Sequence, residues 1–227
     1  MNDIKELLTS IHIKPKNLEL YQLALTHSSY NGDANTKHHD YEKLEYIGDA
    51  VIGFVVADLI FNLHPDMDVG TMSKLRSHLV QTKGLSTYAR RIKLYDYILT
   101  GSSVSKETLM NSDNILEDVF EALVGAIYLD LGIKKVVPYI KFFFYNDVKF
   151  ANPDNFTDFK SRLQEEMQTE FRNTVRYRII KEEGAPHERI YTSEVLFGDD
   201  VLGVGVGRSK KEAEQAAAKD AFRKRVG

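Results

Sequence analysis

The apolar positions of the first 150 residues recur at intervals of three and four. They do so through 18–25, 44–63, 75–97 and 115–131, the period of helices that each hide one face. Polar breaks separate them at Asn31-Gly32-Asp33, Pro65-Asp66 and Gly101-Ser102-Ser103. The stretch Ala151-Asn152-Pro153-Asp154-Asn155 has the composition of a linker. Beyond it the period changes. A short helix is predicted over 159–167. Val175, Tyr177 and Ile179 then alternate with Arg176 and Arg178, a strand pattern. Two more strands are predicted over 190–197 and 201–206, the latter spaced by Gly203 and Gly205. Ser209 is placed to cap a final helix, rich in Ala, Glu and Lys, that runs towards Arg225. The pattern predicts an all-α N-terminal domain over 1–150, a linker over 151–155 and a small α+β domain, ordered α-β-β-β-α, over 156–227.

Composition changes this picture only at its edges. Hydrophobic residues make up 43% of the chain and charged residues 28%, ordinary values for packed domains. With no cysteine, disulfides and thiolate metal sites are excluded, and a reducing compartment is compatible. Residues 1–10 carry Asp3, Lys5 and Glu6 and show no apolar signal core. The longest apolar stretch, 50–63, is interrupted by Asp58 and too short to span a bilayer. A soluble, cytoplasmic protein without a membrane partner is expected. The net charge of -3 is an average over unlike parts. Residues 156–227 hold 14 Lys and Arg against 13 Asp and Glu, and the rest holds 16 against 20. An acidic first part is compatible with ordinary surface charge or with a carboxylate-rich metal site.

Within 44–57 the only charged residues are Glu45 and Asp49. Four apart, they share one helix face, and the surrounding apolar residues imply a helix buried on most sides. Two adjacent carboxylates in such a place repel each other and lose hydration; a multivalent cation would resolve both. Asp118 and Glu121, three apart, form a second pair among apolar residues that continue to Ile127. Facing helices would present all four carboxylates to one cavity. An oxygen-only donor set suits a hard cation, Mg2+ first and Mn2+ as a substitute. Acidic pairs at helical spacing are also common on solvated faces, and spacing alone leaves both readings open. His27, His38, His39, His64 and His78 show no paired ligand spacing, and a structural hydrogen-bonding role is expected of His27.

Longer motifs narrow the choice. Glu42-Lys43-Leu44-Glu45-Tyr46-Ile47-Gly48-Asp49-Ala50-Val51-Ile52 resembles the ribonuclease III family signature E-R-L-E-F-L-G-D-[AS]-V-[LI], with Lys43, Tyr46 and Ile47 as departures. Asp118-Val119-Phe120-Glu121-Ala122-Leu123 is similar to the family's D-x-x-E-A-L. Leu25-Thr26-His27-Ser28 is similar to its L-T-H-[RS], and Gly70-Thr71-Met72-Ser73 to its G-x-[LM]-S. The four motifs fall in family order. The resemblance implies that Glu45, Asp49, Asp118 and Glu121 bind Mg2+ and position the attacking water, with Asp49 and Glu121 catalytic. It implies a homodimer formed through the signature helix, with Tyr46 at the interface. It requires no small-molecule cofactor. Val69 stands where the family often has Glu, so an altered substrate contact is expected there. Glu117 precedes Asp118 where a small residue is usual, and it is expected to face solvent.

The C-terminal segment carries its own resemblance, to double-stranded-RNA-binding domains. It rests on Asp158-Phe159-Lys160-Ser161-Arg162-Leu163-Gln164-Glu165, on the loop Gly184-Ala185-Pro186-His187, and on the run from Gly205 through Gly207-Arg208-Ser209-Lys210-Lys211 to Ala218. By that resemblance Ser161, Gln164, Glu165 and Gln168 would reach one minor groove and His187 the next. Arg208, Lys210 and Lys211 would hold phosphates. Such domains read duplex shape and 2′-hydroxyls more than sequence. The free N–H groups at a helix start favour phosphate independently. The whole chain thus resembles an endonuclease that cuts both strands of double-stranded RNA, leaving 5′-phosphate and 3′-hydroxyl ends with short 3′ overhangs. The implied substrates are precursor ribosomal and other structured RNAs. A relative that binds duplex RNA without cutting it is the alternative; such a relative would be expected to lack some of the four carboxylates.

Overall fold

A computed structural model describes residues 3–30, 39–185 and 187–226. The predicted break at 31–33, His38 and Pro186 lie outside the described residues. The chain divides into two compact units, 1–156 and 157–227.

The first unit is helical. Its described helices are α1 (Ile4–Ser10), α2 (Leu18–Ala24), α3 (Glu42–Leu63), α4 (Val69–Leu79), α5 (Thr82–Arg91), α6 (Lys106–Asn111), α7 (Asp113–Leu131) and α8 (Ile133–Lys149). Most begin where the sequence supplies a capping side chain. Asp3, Asn17, Asp68, Ser105 and Ser112 each accept a backbone N–H from the first turn of α1, α2, α4, α6 and α7. The apolar run over 75–97 is not one helix. It breaks at Val80-Gln81, where Gln81 is extended and starts α5. Periodicity survives such a break because both helices pack on one core. Helix α7 runs through that core, with Leu116, Val119, Phe120, Leu123, Val124 and Ile127 fully buried. Aromatic rings of α5, α7 and α8 close around it, Tyr88 and Phe120 each meeting Phe143 edge-on or tilted.

The second unit is a three-stranded antiparallel sheet, ordered β1-β2-β3, flanked by two helices. Helix α9 (Phe159–Phe171) precedes β1 (Arg176–Glu183), β2 (Ile190–Phe197), β3 (Asp200–Gly207) and α10 (Lys210–Val226). Strand β1 runs beyond the alternation that predicts it, because its register shifts between Ile179 and Lys181. A bulge reverses which residues face inward, so the sequence period ends before the strand does. Gly203, Gly205 and Gly207 face α10, where a Cβ on each would lie 2.1–2.5 Å from helix atoms. Those glycines let Ala213, Ala217, Ala218 and Ala221 pack directly on the sheet, around Leu163, Met167 and Val195. Phe156, expected in this unit, belongs to the first, where its ring meets His78 at 5.3 Å and packs on the helical core. The segment 151–155 is likewise more than a spacer: Ala151 packs on that core and Pro153–Asn155 forms a single 3-10 turn.

Candidate active site and nucleic-acid interface

Helices α3 and α7 make the most extensive helix pairing of the first unit. Two glycines set how closely they cross. A Cβ on Gly48 would lie 1.9 Å from the Glu121 carbonyl oxygen, and one on Gly125 would lie 2.2 Å from that of Leu44. Backbone therefore meets backbone at the point where each helix carries its acids. Glu45 and Asp49 straddle Gly48, while Asp118 and Glu121 stand one turn or two before Gly125.

The consequence is electrostatic. Glu121 is buried at 8% exposure. Burial first, then Asp49, Glu117, Glu45 and Asp118, push its carboxyl up to about 8. Glu45 rises above the usual carboxylate range through burial and the neighbouring Asp118, Glu42, Glu117 and Asp49. Asp118 also rises by burial, opposed by a hydrogen bond from Tyr41 and by His27. The four predicted carboxylates thus face one another across the helix crossing, with Asp49 on the solvent side. Glu117, expected to face solvent, is half-buried instead. Burial raises its carboxyl while a hydrogen bond from Thr82 opposes the rise, and Asp118 and Asp49 lie close enough to repel it. An acid directly before Asp118 is drawn into the cluster because α5 covers that side of α7.

In this arrangement, among the described residues, no three acidic or histidine side chains are gathered as the ligands of a cation. The donor set nevertheless fits a hard cation. It is all oxygen, half-buried, and short of compensating positive charge. Asp130, further along α7, shows the contrast. It accepts hydrogen bonds from the Lys16 and Asn17 N–H groups and the Tyr21 hydroxyl at 2.8–2.9 Å, so it is a structural acid with its donors in place.

One side chain that sequence reasoning passed over, Tyr41, touches the carboxylate cluster. The Tyr41 hydroxyl donates to Asp118 Oδ2 at 3.1 Å, and the Tyr41 and His27 rings lie 5.7 Å apart. Helix propensity gives no sign of Tyr41; its signal is its place directly before the acidic motif. His27 sits in a structural bond, Nδ1 to Ser29 Oγ at 2.8 Å, and His64 Nε2 bonds the Val148 carbonyl at 2.7 Å. Asp68 does not stand in for the acid that Val69 replaces. Its carboxylate caps α4, accepting from the Thr71 N–H at 3.0 Å and hydroxyl at 2.7 Å.

The composition of α3 implied burial on most sides, but the structure leaves one of its faces open. Tyr46, Ala50, Phe54 and Phe61 form an exposed stripe along it, with Tyr46 at 79% and Phe54 at 63% exposure. Exposed Val69 extends this stripe, and it lines with Phe54, Phe61 and Met72 a groove of about 380 Å³. An apolar helix that shows an aromatic stripe to solvent has a face built for contact.

In the second unit the predicted RNA-contacting residues fall on separate surfaces. Ser161, Glu165 and Gln168 are exposed on α9, and Gln164 is half-buried there. His187 and Arg208 line one cavity of about 420 Å³ with Arg189 and Tyr191. Ser209 caps α10, accepting the Glu212 N–H at 3.2 Å, and Glu212 accepts the Arg208 N–H at 2.9 Å. Lys211 is exposed. Lys210 pairs with Glu182 at 3.1 Å and lies 5.7 Å over the Tyr191 ring.

Comparison with known proteins bears on each unit. A family model described as ribonuclease-III-like matches residues 17–148, and the double-stranded RNA binding motif matches residues 159–225. The chain is 41% identical to "Ribonuclease 3" of Onion yellows phytoplasma (strain OY-M), covering 99% of this chain and 92% of that protein. It is 34% identical to "Ribonuclease 3" of Staphylococcus saprophyticus, covering 98% and 91%. Among solved structures, the nuclease domain of ribonuclease III from Campylobacter jejuni matches at TM-score 0.60 and 30% identity, over 67% of this chain and 100% of that one. A second structure of that domain, described for flexibility in a region involved in dimer formation, matches at TM-score 0.57 and 32% identity, over 63% and 99%.

Proposed function

The chain belongs to the ribonuclease III family, and from that premise we propose that it hydrolyses both strands of double-stranded RNA with a divalent cation. The products carry 5′-phosphate and 3′-hydroxyl ends with short 3′ overhangs. The observation that supports this most is the uncompensated carboxylate cluster at the crossing of α3 and α7. Glu45, Asp49, Asp118 and Glu121 would hold Mg2+, or Mn2+ in its place. Bound there, the cation supplies positive charge to the phosphodiester and to the attacking water. The chain's own residues do the rest. Asp49, on the solvent side, faces the incoming backbone. Glu121, the most buried of the four, would orient the water. The second unit binds the duplex through α9, the His187 loop and the start of α10.

One chain carries one set of four carboxylates, and two strands need two sets. A homodimer joined through the aromatic stripe of α3, with Tyr46 and Phe54 buried between copies, supplies them by symmetry. Precursor ribosomal RNA and other structured RNAs are the proposed substrates, and the cytoplasm the proposed compartment, in keeping with a chain free of cysteine. The test is cleavage of a long RNA duplex by wild type and Glu121→Gln, with Mg2+ or EDTA. Glu121→Gln keeps the size of a ligand and removes its charge, so cleavage should fall by orders of magnitude while duplex binding holds. Full activity in EDTA, or near-wild-type turnover of the variant in millimolar Mg2+, refutes the proposal.

A further inference from the structure

Seven helices begin with an Asp, Asn or Ser whose side chain caps the helix: α1, α2, α4, α6, α7, α9 and α10. The helix that carries Glu45 and Asp49 starts differently: Asp40, one residue before the N-cap, accepts the Glu42 N–H at 3.3 Å. The N-cap itself is Tyr41. The Tyr41 side chain does not cap the helix and is turned to α7 instead.

What Tyr41 serves is legible from its contacts. It is buried, at 5% exposure. Its N–H donates to the Thr26 carbonyl at 3.1 Å, and its carbonyl accepts the N–H groups of Leu44 and Glu45 at 2.8 and 2.9 Å. Its ring leans on His27, whose own N–H donates to the Leu99 carbonyl at 2.9 Å. From this fixed base the hydroxyl crosses to α7 and donates to Asp118 Oδ2. One residue therefore begins the helix of the first carboxylate pair, receives the backbone N–H of Glu45, and grips the second pair by its side chain.

We infer that Tyr41 is a positioning residue: its hydroxyl holds Asp118 in the orientation from which the carboxylate cluster binds its divalent cation, with His27 backing the ring. This rests on the cation reading given above and adds to it a residue outside the four acids. Hydrogen-bond partners of metal ligands fix the ligand's orientation, and their loss costs roughly 10–100-fold in metal affinity.

The experiment is Mn2+ binding to the full chain without RNA, followed by the electron paramagnetic resonance of free Mn2+. Wild type is compared with Tyr41→Phe, Asp118→Asn and Tyr139→Phe. Tyr139→Phe also removes a buried tyrosine hydroxyl, one with no partner among the described residues, and Tyr139 lies on α8 outside the site. Thermal midpoints and duplex affinity are measured for each. Tyr41→Phe keeps the ring and loses only the bond. It should weaken Mn2+ by roughly 10-fold or more and raise by a like factor the Mg2+ needed for half-maximal cleavage, with duplex affinity unchanged. Tyr139→Phe should bind Mn2+ as wild type does. If Tyr41→Phe binds Mn2+ like wild type while Asp118→Asn does not, Tyr41 is a packing residue and the inference falls. A lowered midpoint in Tyr41→Phe with unchanged Mn2+ affinity assigns the hydroxyl to stability and overturns it equally. If wild type and Asp118→Asn bind Mn2+ alike, the cation reading itself fails and takes the inference with it.

Discussion

The two units use glycine alike and charge in opposite ways. In the first, Gly48 and Gly125 bring two helices into backbone contact; in the second, Gly203, Gly205 and Gly207 do the same for a helix and a sheet. The first unit uses the closeness to crowd Glu45, Asp49, Glu117, Asp118 and Glu121 together. The second packs alanines into the contact and pairs its charges outside it: Lys160 with Glu214, Arg178 with Glu194, Arg225 with Glu166 and Glu170, Lys224 with Asp220. Paired surface charges contribute little to stability and hold shape. Crowded, half-buried like charges cost stability, and a fold keeps them only where a partner ion or substrate recovers the cost. That contrast in charge is the one on which the proposed division of labour between the two units rests.

The comparison breaks most sharply at the glycines. Gly48→Ala puts a methyl group 1.9 Å from a backbone oxygen, and Gly205→Ala puts one 2.1 Å from the Ala217 nitrogen. Neither neighbour is a flexible side chain, so each should cost ~3 kcal/mol or more, at the upper end for overpacking. Gly48→Ala should abolish cleavage and leave duplex binding. Gly205→Ala should do the reverse at low salt and high enzyme. Calorimetry and binding assays on both variants check this, and a Gly48→Ala chain that cleaves normally would show that the helices need no such contact.

The aromatic stripe of α3 is the next lever. Phe54→Arg places a charge where an apolar contact is proposed, and burying an unpaired charge is prohibitive. The variant should sediment as a monomer and lose coordinated double-strand cutting, with its thermal midpoint little changed because Phe54 is already exposed. A dimer that survives this change moves the interface elsewhere.

The pH dependence comes next in size. Glu121 is pushed up to about 8, and Glu45, Glu117 and Asp118 also rise. Each therefore holds a proton in the folded state at a pH where the unfolded chain has released it. Their contribution to stability is complete below about pH 4 and is lost as pH rises towards 8. The cation-free first unit should melt lower at pH 8 than at pH 5.5, by about 2–4 °C per kcal/mol lost. Mg2+ should reverse the fall, with its largest effect at pH 8, because it binds the ionised form. The second unit, without such a cluster, should show neither effect. A first-unit midpoint that rises with pH in EDTA contradicts the crowding.

Much of this was legible in the residues. Glu45, Asp49, Asp118 and Glu121 announce themselves as charges in apolar helices, and period alone separates the helical unit from the sheet. The misses have a common cause. Glu117 joins the cluster, the 75–97 run divides at Gln81, and α3 keeps an open face because of what packs on each helix, and periodicity within a single helix carries no record of its neighbours. Tyr41 was invisible for the same reason: its partner, Asp118, is 77 positions away. The β1 bulge hides in a different way, since it reverses the alternation by which strands are read.

The smallest expected effect tests whether the positive charge at the start of α10 is free. Binding through phosphates releases counterions, so duplex affinity falls linearly with salt on logarithmic axes, with a slope near 0.9 per contact on a B-form duplex. Lys211 and Lys210 begin the same helix, where backbone N–H groups already favour phosphate. They differ in their surroundings. Lys210 is held between Glu182 at 3.1 Å and the Tyr191 ring, and Glu182 is shared with Arg189 at 3.6 Å. To grip phosphate, Lys210 must leave a carboxylate that then faces the RNA. Lys211→Ala should therefore flatten the salt slope by roughly one unit, and Lys210→Ala by less than one. Lys210→Ala with Glu182→Gln should recover part of the affinity lost in Lys210→Ala, since no bare carboxylate remains. Titration of RNA duplexes at several salt concentrations reads all three variants. Equal slopes for Lys210→Ala and Lys211→Ala would mean that the Glu182 pair opens freely when RNA arrives, and that the second unit commits both lysines to phosphate.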